Sequence, residues 1–116
     1  MNSSTPNQLD GIWGSSANNI FAVGDGGTIL HYDGSNWSAM NSGTTSQLHS
    51  IWGISVTDVF AVGEGGTILH YDGSAWSAMN SSTTEDLWGV WASSATDVFA
   101  VGEGGTILHY SRQIPK

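Results

Sequence analysis

The sequence predicts an all-β protein made of three repeated four-stranded sheets, and three observations lead to this prediction. The 116 residues repeat with a period of 39, so that tryptophan recurs as Trp13, Trp52 and Trp91. Short runs of β-branched and aromatic residues alternate with turns rich in glycine and serine, and no helical period appears. One run in each repeat is apolar at successive positions, which indicates a strand that is covered on both faces.

The period divides the chain into three predicted structural units, which span residues 1–39, 40–78 and 79–116. The first two units end in DGSNWSA and DGSAWSA, whereas the third continues after Tyr110 as SRQIPK. We therefore expect the last strand of the third unit to be altered.

The second unit shows how each element is predicted. The segment LHSIWG gives a first strand, and DVFAVG gives a second strand that is apolar almost throughout. A GEGG turn, whose glycines tolerate positive φ, leads to a third strand in GTILHY. The dipeptide Asp72-Gly73 is a strong hairpin signal and leads to a fourth strand in SAWSAM. The four strands are expected at residues 48–53, 58–63, 66–71 and 74–79.

The apolar second strand predicts how the sheets are arranged. A small sheet buries both of its faces only if another sheet stacks on each side, and radial stacking of such sheets forms a β-propeller. Three blades do not close a ring, so we expect head-to-tail association with copies of the same chain. A six-bladed dimer is preferred and a nine-bladed trimer comes next. A monomeric β-trefoil is the alternative fold.

The segment WGSSANNIFAVGDGGTILHYDGSNW, residues 13–37, resembles the tryptophan-containing propeller repeats of many bacterial proteins, which are related to the Asp-box propeller group. The resemblance covers nearly the whole chain three times, and it implies a propeller fold. In the Asp-box group the aspartate satisfies backbone amides of a hairpin and the tryptophan packs. The resemblance therefore implies that Asp33, Trp37, Asp72 and Trp76 form a structural hairpin motif.

Composition and charge limit the partners. The net charge is −8, and Arg112 and Lys116 are the only fixed positive groups, which argues against nucleic acid and anionic membranes as partners. The sequence contains no cysteine, no recognisable signal peptide and no apolar run near the roughly 20 residues of a membrane helix. The compartment is left open.

No catalytic set is recognisable, so we predict that the protein is not an enzyme and needs no cofactor. A sialidase, which some Asp-box propellers are, would need an arginine cluster, and no G-x-S-x-G elbow is present. The repeated histidines are interpreted as hydrogen-bonded packing residues between blades rather than metal ligands. They are His31, His70 and His109. The turn carboxylates are interpreted as solvated rather than calcium-binding. They are Asp25, Glu64 and Glu103.

The predicted function is therefore a non-enzymatic binding or protein-interaction scaffold. The alternative is a lectin-like protein with one shallow aromatic site in each blade, for which Trp13, Trp52 and Trp91 are the candidate ligand-binding residues. The competing interpretation is that these tryptophans wedge between blades. His49 has no histidine counterpart in the other repeats, so it is not predicted to belong to a repeated site.

Overall fold

The computed structural model describes residues 5–94 and 97–111, and these residues form three antiparallel sheets. The first sheet contains β1 (Leu9–Ser16), β2 (Asn19–Gly24), β3 (Ile29–Tyr32) and β4 (Trp37–Met40). The second contains β5 (Leu48–Ser55), β6 (Asp58–Gly63), β7 (Ile68–Tyr71) and β8 (Trp76–Met79). The third contains β9 (Leu87–Ser94), β10 (Asp97–Gly102) and β11 (Ile107–Ser111).

Each sheet is a meander in which successive strands pair with one another. The GEGG segments form short 3₁₀ turns, Glu64–Gly66 in the second repeat, so the third strands begin two residues later than expected. Gly65 and Gly66 take φ values of 65° and 77° in this turn, which explains why both positions carry glycine.

The three sheets stack face to face and enclose two apolar cores. The first core joins residues of the first and second sheets, among them Phe21, Val23, Leu48 and Val59. The first strands β1, β5 and β9 make the most extensive contacts between sheets, so they lie at the convergent side of the stack. This is the arrangement of propeller blades, and the prediction of propeller blades is confirmed. The β-trefoil alternative is wrong, because the sheets are separate meanders stacked on one another.

The second strands behave as the apolar pattern predicts. Every residue of β6 is buried, because sheets cover both faces of the second sheet. Residues of β10 alternate between buried and more exposed positions, because one face of the third sheet is uncovered. Burial on both faces therefore depends on stacking and not on the strand alone.

The third sheet differs from the other two at its outer edge. In the first and second sheets the third strand ends at Tyr32 or Tyr71, and Asp33 or Asp72 begins a turn. Strand β11 instead extends to Ser111 and pairs with β10 through its whole length. The altered fourth strand that the sequence predicts falls on residues 112–116, which lie outside the described residues.

Candidate functional site

The two outer sheets each leave one apolar face uncovered. On the first sheet Ile12 is 69% exposed, whereas its repeat counterpart Ile51 is 5% exposed between two sheets. On the third sheet Val101 is 47% exposed, whereas its counterpart Val62 is fully buried. The side chains are identical within each pair, so the neighbouring sheet alone makes the difference. Exposed apolar faces of this kind mark interaction surfaces.

Each free face is the repeat equivalent of a face that is buried between two sheets of the same chain. The free face of the third sheet is the repeat equivalent of the face that carries Phe60 and Val62 and packs on the third sheet. The free face of the first sheet is the equivalent of the face that carries Ile51 and Val59 and packs on the first sheet. The chain therefore presents a matching pair of apolar surfaces at its two ends.

The three candidate ligand-binding tryptophans have different surroundings. The ring of Trp13 lies against Gly53, where an added Cβ would come within 2.4 Å of the ring. Trp52 packs against the second core, with its ring centroid 6.4 Å from that of Trp91. Trp91 is 50% exposed on the free face of the third sheet. Trp13 and Trp52 thus lie between sheets, and Trp91 presents an open ring.

The hairpin aspartates bind the backbone of their own turns. Asp33 Oδ1 accepts hydrogen bonds of 2.9 Å from the N–H groups two and three residues further along. Asp72 Oδ1 accepts the equivalent bonds at 2.8 and 3.0 Å. These backbone hydrogen bonds hold the pKa of both carboxyl groups below the ordinary value of 3.8, with the N–H three residues ahead as the largest cause.

The hairpin tryptophans differ in burial although their local sequences match. Trp76 is 8% exposed, and its ring meets Phe21 of the first sheet edge-on at a centroid distance of 6.2 Å. Its other neighbour is Tyr71, at 5.2 Å. Trp37 contacts Tyr32 at the same distance of 5.2 Å and is half-buried, because its sheet has a free face.

An apolar groove of about 310 Å³ opens between the second and third sheets. Phe60, Val62 and Met79 line it from the second sheet, and Leu108 and Tyr110 line it from the third. In the preceding interface the side chains at equivalent positions lie around Trp76. The groove is therefore the repeat equivalent of the space that a tryptophan fills between the first and second sheets.

The repeated histidines bind within their own sheets. His70 Nε2 lies 2.6 Å from Asp58 Oδ1, and His109 Nε2 lies 2.7 Å from Asp97 Oδ1. His31 makes the equivalent contact with the side chain of Asn19. The interpretation as hydrogen-bonded residues is confirmed, and each partner stands on the adjacent strand of the same sheet. The ring centroids of His31 and His70 also lie 4.7 Å from those of Phe21 and Phe60, which belong to the cores between sheets.

The turn carboxylates do not converge. Glu64 Oε1 accepts a hydrogen bond of 3.0 Å from the backbone N–H of Gln47, so it links the turn after β6 to the residue before β5. Among residues 5–94 and 97–111, no group of three or more histidine, aspartate or glutamate side chains could hold a metal ion. No helix in the same part of the chain is long and apolar enough to cross a membrane.

Asp10, His49 and Trp88 form a row that the sequence prediction set aside. They stand at one repeat position on the first strands, where the pairing register shifts in each sheet. The rings of His49 and Trp88 stack with centroids 4.1 Å apart. Gln47 Nε2 donates a 2.9 Å hydrogen bond to Asp10 Oδ2, and this bond is the main cause that lowers the pKa of Asp10.

The sequence carried a signal for this row. In all three repeats a leucine precedes this position and a tryptophan follows three residues after it, yet the position itself holds an acid, an imidazole and an indole. A repeat-breaking position on a bulge indicates a specific role, because bulges redirect side chains.

No protein-family model and no curated protein sequence matches the chain. Among solved structures, it is similar to "YCF48 bound to D1 peptide", with a TM-score of 0.82, 17% identity and 97% of this chain covered. It is also similar to YCF48 from Cyanidioschyzon merolae, with a TM-score of 0.78, 18% identity and 93% covered. The chain spans 39% of the length of each. YCF48 is a β-propeller protein, and at this identity the likeness establishes the fold.

Proposed function

We propose that the chain is a non-enzymatic interaction module, which forms a propeller ring with copies of itself and binds segments of other proteins. The observation that carries the proposal is the matching pair of free apolar faces on the first and third sheets. The structural neighbour that is bound to a peptide supports the second half of the proposal.

The contact of Trp13 with Gly53 suggests how two copies fit together. Gly14 is the repeat counterpart of Gly53, and it is exposed on the first sheet. Trp91 is the counterpart of Trp13 and is exposed on the third sheet. In the ring, Trp91 of one copy lies on Gly14 of the next copy, so the internal packing continues across the junction.

The number of copies is tested by light scattering over a range of concentrations. A dimer with six blades gives about twice the chain mass of 12.2 kDa, and a trimer with nine blades gives three times that mass. We prefer the dimer, because propellers usually have about four to eight blades. A single-chain mass at every concentration would contradict the ring.

Two variants at one position make this test specific. In Gly14→Leu the added side chain fills the space where Trp91 of the neighbouring copy packs, so this variant is expected to remain as single chains. Gly14→Ala is the control, because the third repeat carries Ala92 at the equivalent position beside Trp52. If both variants associate as the unchanged chain does, the proposed junction is wrong.

Binding to other proteins is tested with a displayed library of random peptides, run beside a glycan array. Selective enrichment of peptides supports the interaction module. Failure to enrich any peptide contradicts it, and turnover in a hydrolase panel would contradict the absence of enzymatic activity.

Carbohydrate binding is the second candidate, and the exposed ring of Trp88 beside the Asp10 row favours it. An aromatic face and a nearby carboxylate suit the apolar face and the hydroxyl groups of a sugar. Trp13, Trp52 and Trp91 are less suited to hold a sugar than Trp88, because Trp13 and Trp52 lie between sheets and ring closure covers Trp91. Glycan binding that is lost in Trp88→Ala places the sugar at the row, and an empty glycan array contradicts the proposal.

The relation to bacterial tryptophan-containing repeats and the division at residues 1–39, 40–78 and 79–116 remain predictions.

A further inference from the structure

We propose that the outer edge of β11 and the adjoining groove bind an extended peptide that carries an aromatic side chain, as the fourth strand of the third sheet. The proposal rests on the interaction function proposed above, and it gives that function a site and a ligand class.

The edge of β11 offers a place for a strand. In the second sheet, β7 pairs with β6 on one side and with β8 on the other, with Tyr71 opposite Trp76 and Ile68 opposite Met79. Among the residues that the structure describes, β11 pairs with β10 alone. The N–H and C=O groups on such an edge form main-chain hydrogen bonds to an added strand.

The groove explains why the added strand should carry an aromatic residue. The equivalent space between the first and second sheets is occupied by Trp76 from β8, which contacts Phe21 and Tyr71. At the groove, Phe60 and Tyr110 stand at the positions of those two rings. The repeat position of the tryptophan is Pro115, so the sequence supplies no aromatic side chain there.

The register of the complete sheets defines the ligand. The residue opposite Tyr110 should be aromatic, the two residues opposite His109 and Leu108 should be small, and the residue opposite Ile107 should be methionine or a similar apolar residue. The net charge of −8 favours a peptide without acidic residues.

A second copy of the chain is a poorer occupant of this site. A copy docks by packing its first sheet on the free face of the third sheet. The edge of β11 instead points away from β9, which lies at the convergent side of the stack. Face-to-face docking of the strands that the structure describes therefore adds no strand to this edge.

The test uses a labelled peptide with the sequence SAWSAMN, which is that of residues 74–80. Fluorescence anisotropy with the full chain is expected to show saturable binding. The peptide with Trp76→Ala should bind at least about tenfold more weakly, because it leaves the groove empty. A peptide with N-methylated backbone amides should also lose binding, because it cannot form the strand ladder. No binding of the unmodified peptide, or equal binding of the modified peptides, overturns the proposal.

A matched pair of protein variants locates the site. Tyr110→Ala removes the ring on which the incoming aromatic stacks, and binding should weaken about three- to tenfold. Tyr32→Ala is the control, because Tyr32 holds the same strand position but already contacts Trp37. Equal weakening in both variants overturns the proposal.

Binding of library peptides to the Tyr110→Ala chain distinguishes a failure of this site from a failure of the proposed interaction function. If library peptides bind the Tyr110→Ala chain as well as the unchanged chain, the site is wrong and the interaction module stands. If no library peptide binds at all, the interaction module itself fails.

Discussion

Truncation of two equivalent tryptophans measures how much stability comes from stacking one sheet on another. Trp76→Ala and Trp37→Ala change the same residue in the same hairpin position. Trp76 is buried against the first sheet, whereas Trp37 belongs to a sheet with one free face and is half-buried. The difference between their costs therefore reports the contribution of the neighbouring sheet.

The structure gives the expected magnitudes. A tryptophan side chain buries roughly 150–250 Å², and at about 25 cal/mol per Å² this corresponds to about 4–6 kcal/mol. Truncation of Trp76, which is 8% exposed, should remove most of this stabilisation, so we expect it to lower the free energy of unfolding by about 4 kcal/mol. Partly buried Trp37 should cost less, about 3 kcal/mol.

The measurement is urea-induced unfolding, followed by circular dichroism in solutions dilute enough for light scattering to report single chains. Equal costs in single chains would refute the argument, since stacking would then contribute nothing to the burial of Trp76. In a ring, a partner covers Trp37, so the two costs should converge as the protein concentration rises.

Three further predictions follow from the structure. Gly66→Ala should destabilise the fold more than Gly105→Ala, because a Cβ at Gly66 would lie 2.0 Å from a loop carbonyl oxygen, whereas one at Gly105 would meet nothing within 4 Å. Gly105→Ala should still cost about 1–2 kcal/mol in urea unfolding, because its φ is positive. Acid should destabilise the protein through Asp33 and Asp72: their lowered pKa values give a stabilisation that is complete above the unfolded value near 3.8 and is lost as pH falls through the folded values. Replacing both with asparagine should flatten the pH dependence of the unfolding free energy below about pH 4, and an unchanged slope would contradict this assignment. Trp91→Ala should lower the mass seen by light scattering and, since its ring is 50% exposed, should cost single-chain unfolding only about 2 kcal/mol. An unchanged mass would contradict the junction.

The sequence was sufficient for the repeat, the strands and the stacking. Glycine turns and the Asp72-Gly73 hairpin located the strand ends within about two residues. The uninterrupted apolar run of β6 required cover on both faces, and the second sheet has it. These features follow from local rules of pairing and turn geometry, which are encoded residue by residue.

The sequence could not predict different surroundings for equivalent positions of the similar repeats. Trp13, Trp52 and Trp91 are equivalent in sequence, and Trp91 is exposed because no sheet covers its face of the third sheet. The histidines have the expected polar partners, but these partners lie within one sheet because β2 and β3 are adjacent there.

The sequence by itself determined which segments become strands and that these strands need neighbours on both sides. The tertiary structure alone decided which faces remain free, where the groove opens beside Tyr110, and that His49 stacks on Trp88. The physical reason is that turn and strand preferences act over a few residues, whereas burial depends on which sheet lies opposite. Equivalent positions of the three repeats therefore receive different neighbours according to their place in the stack.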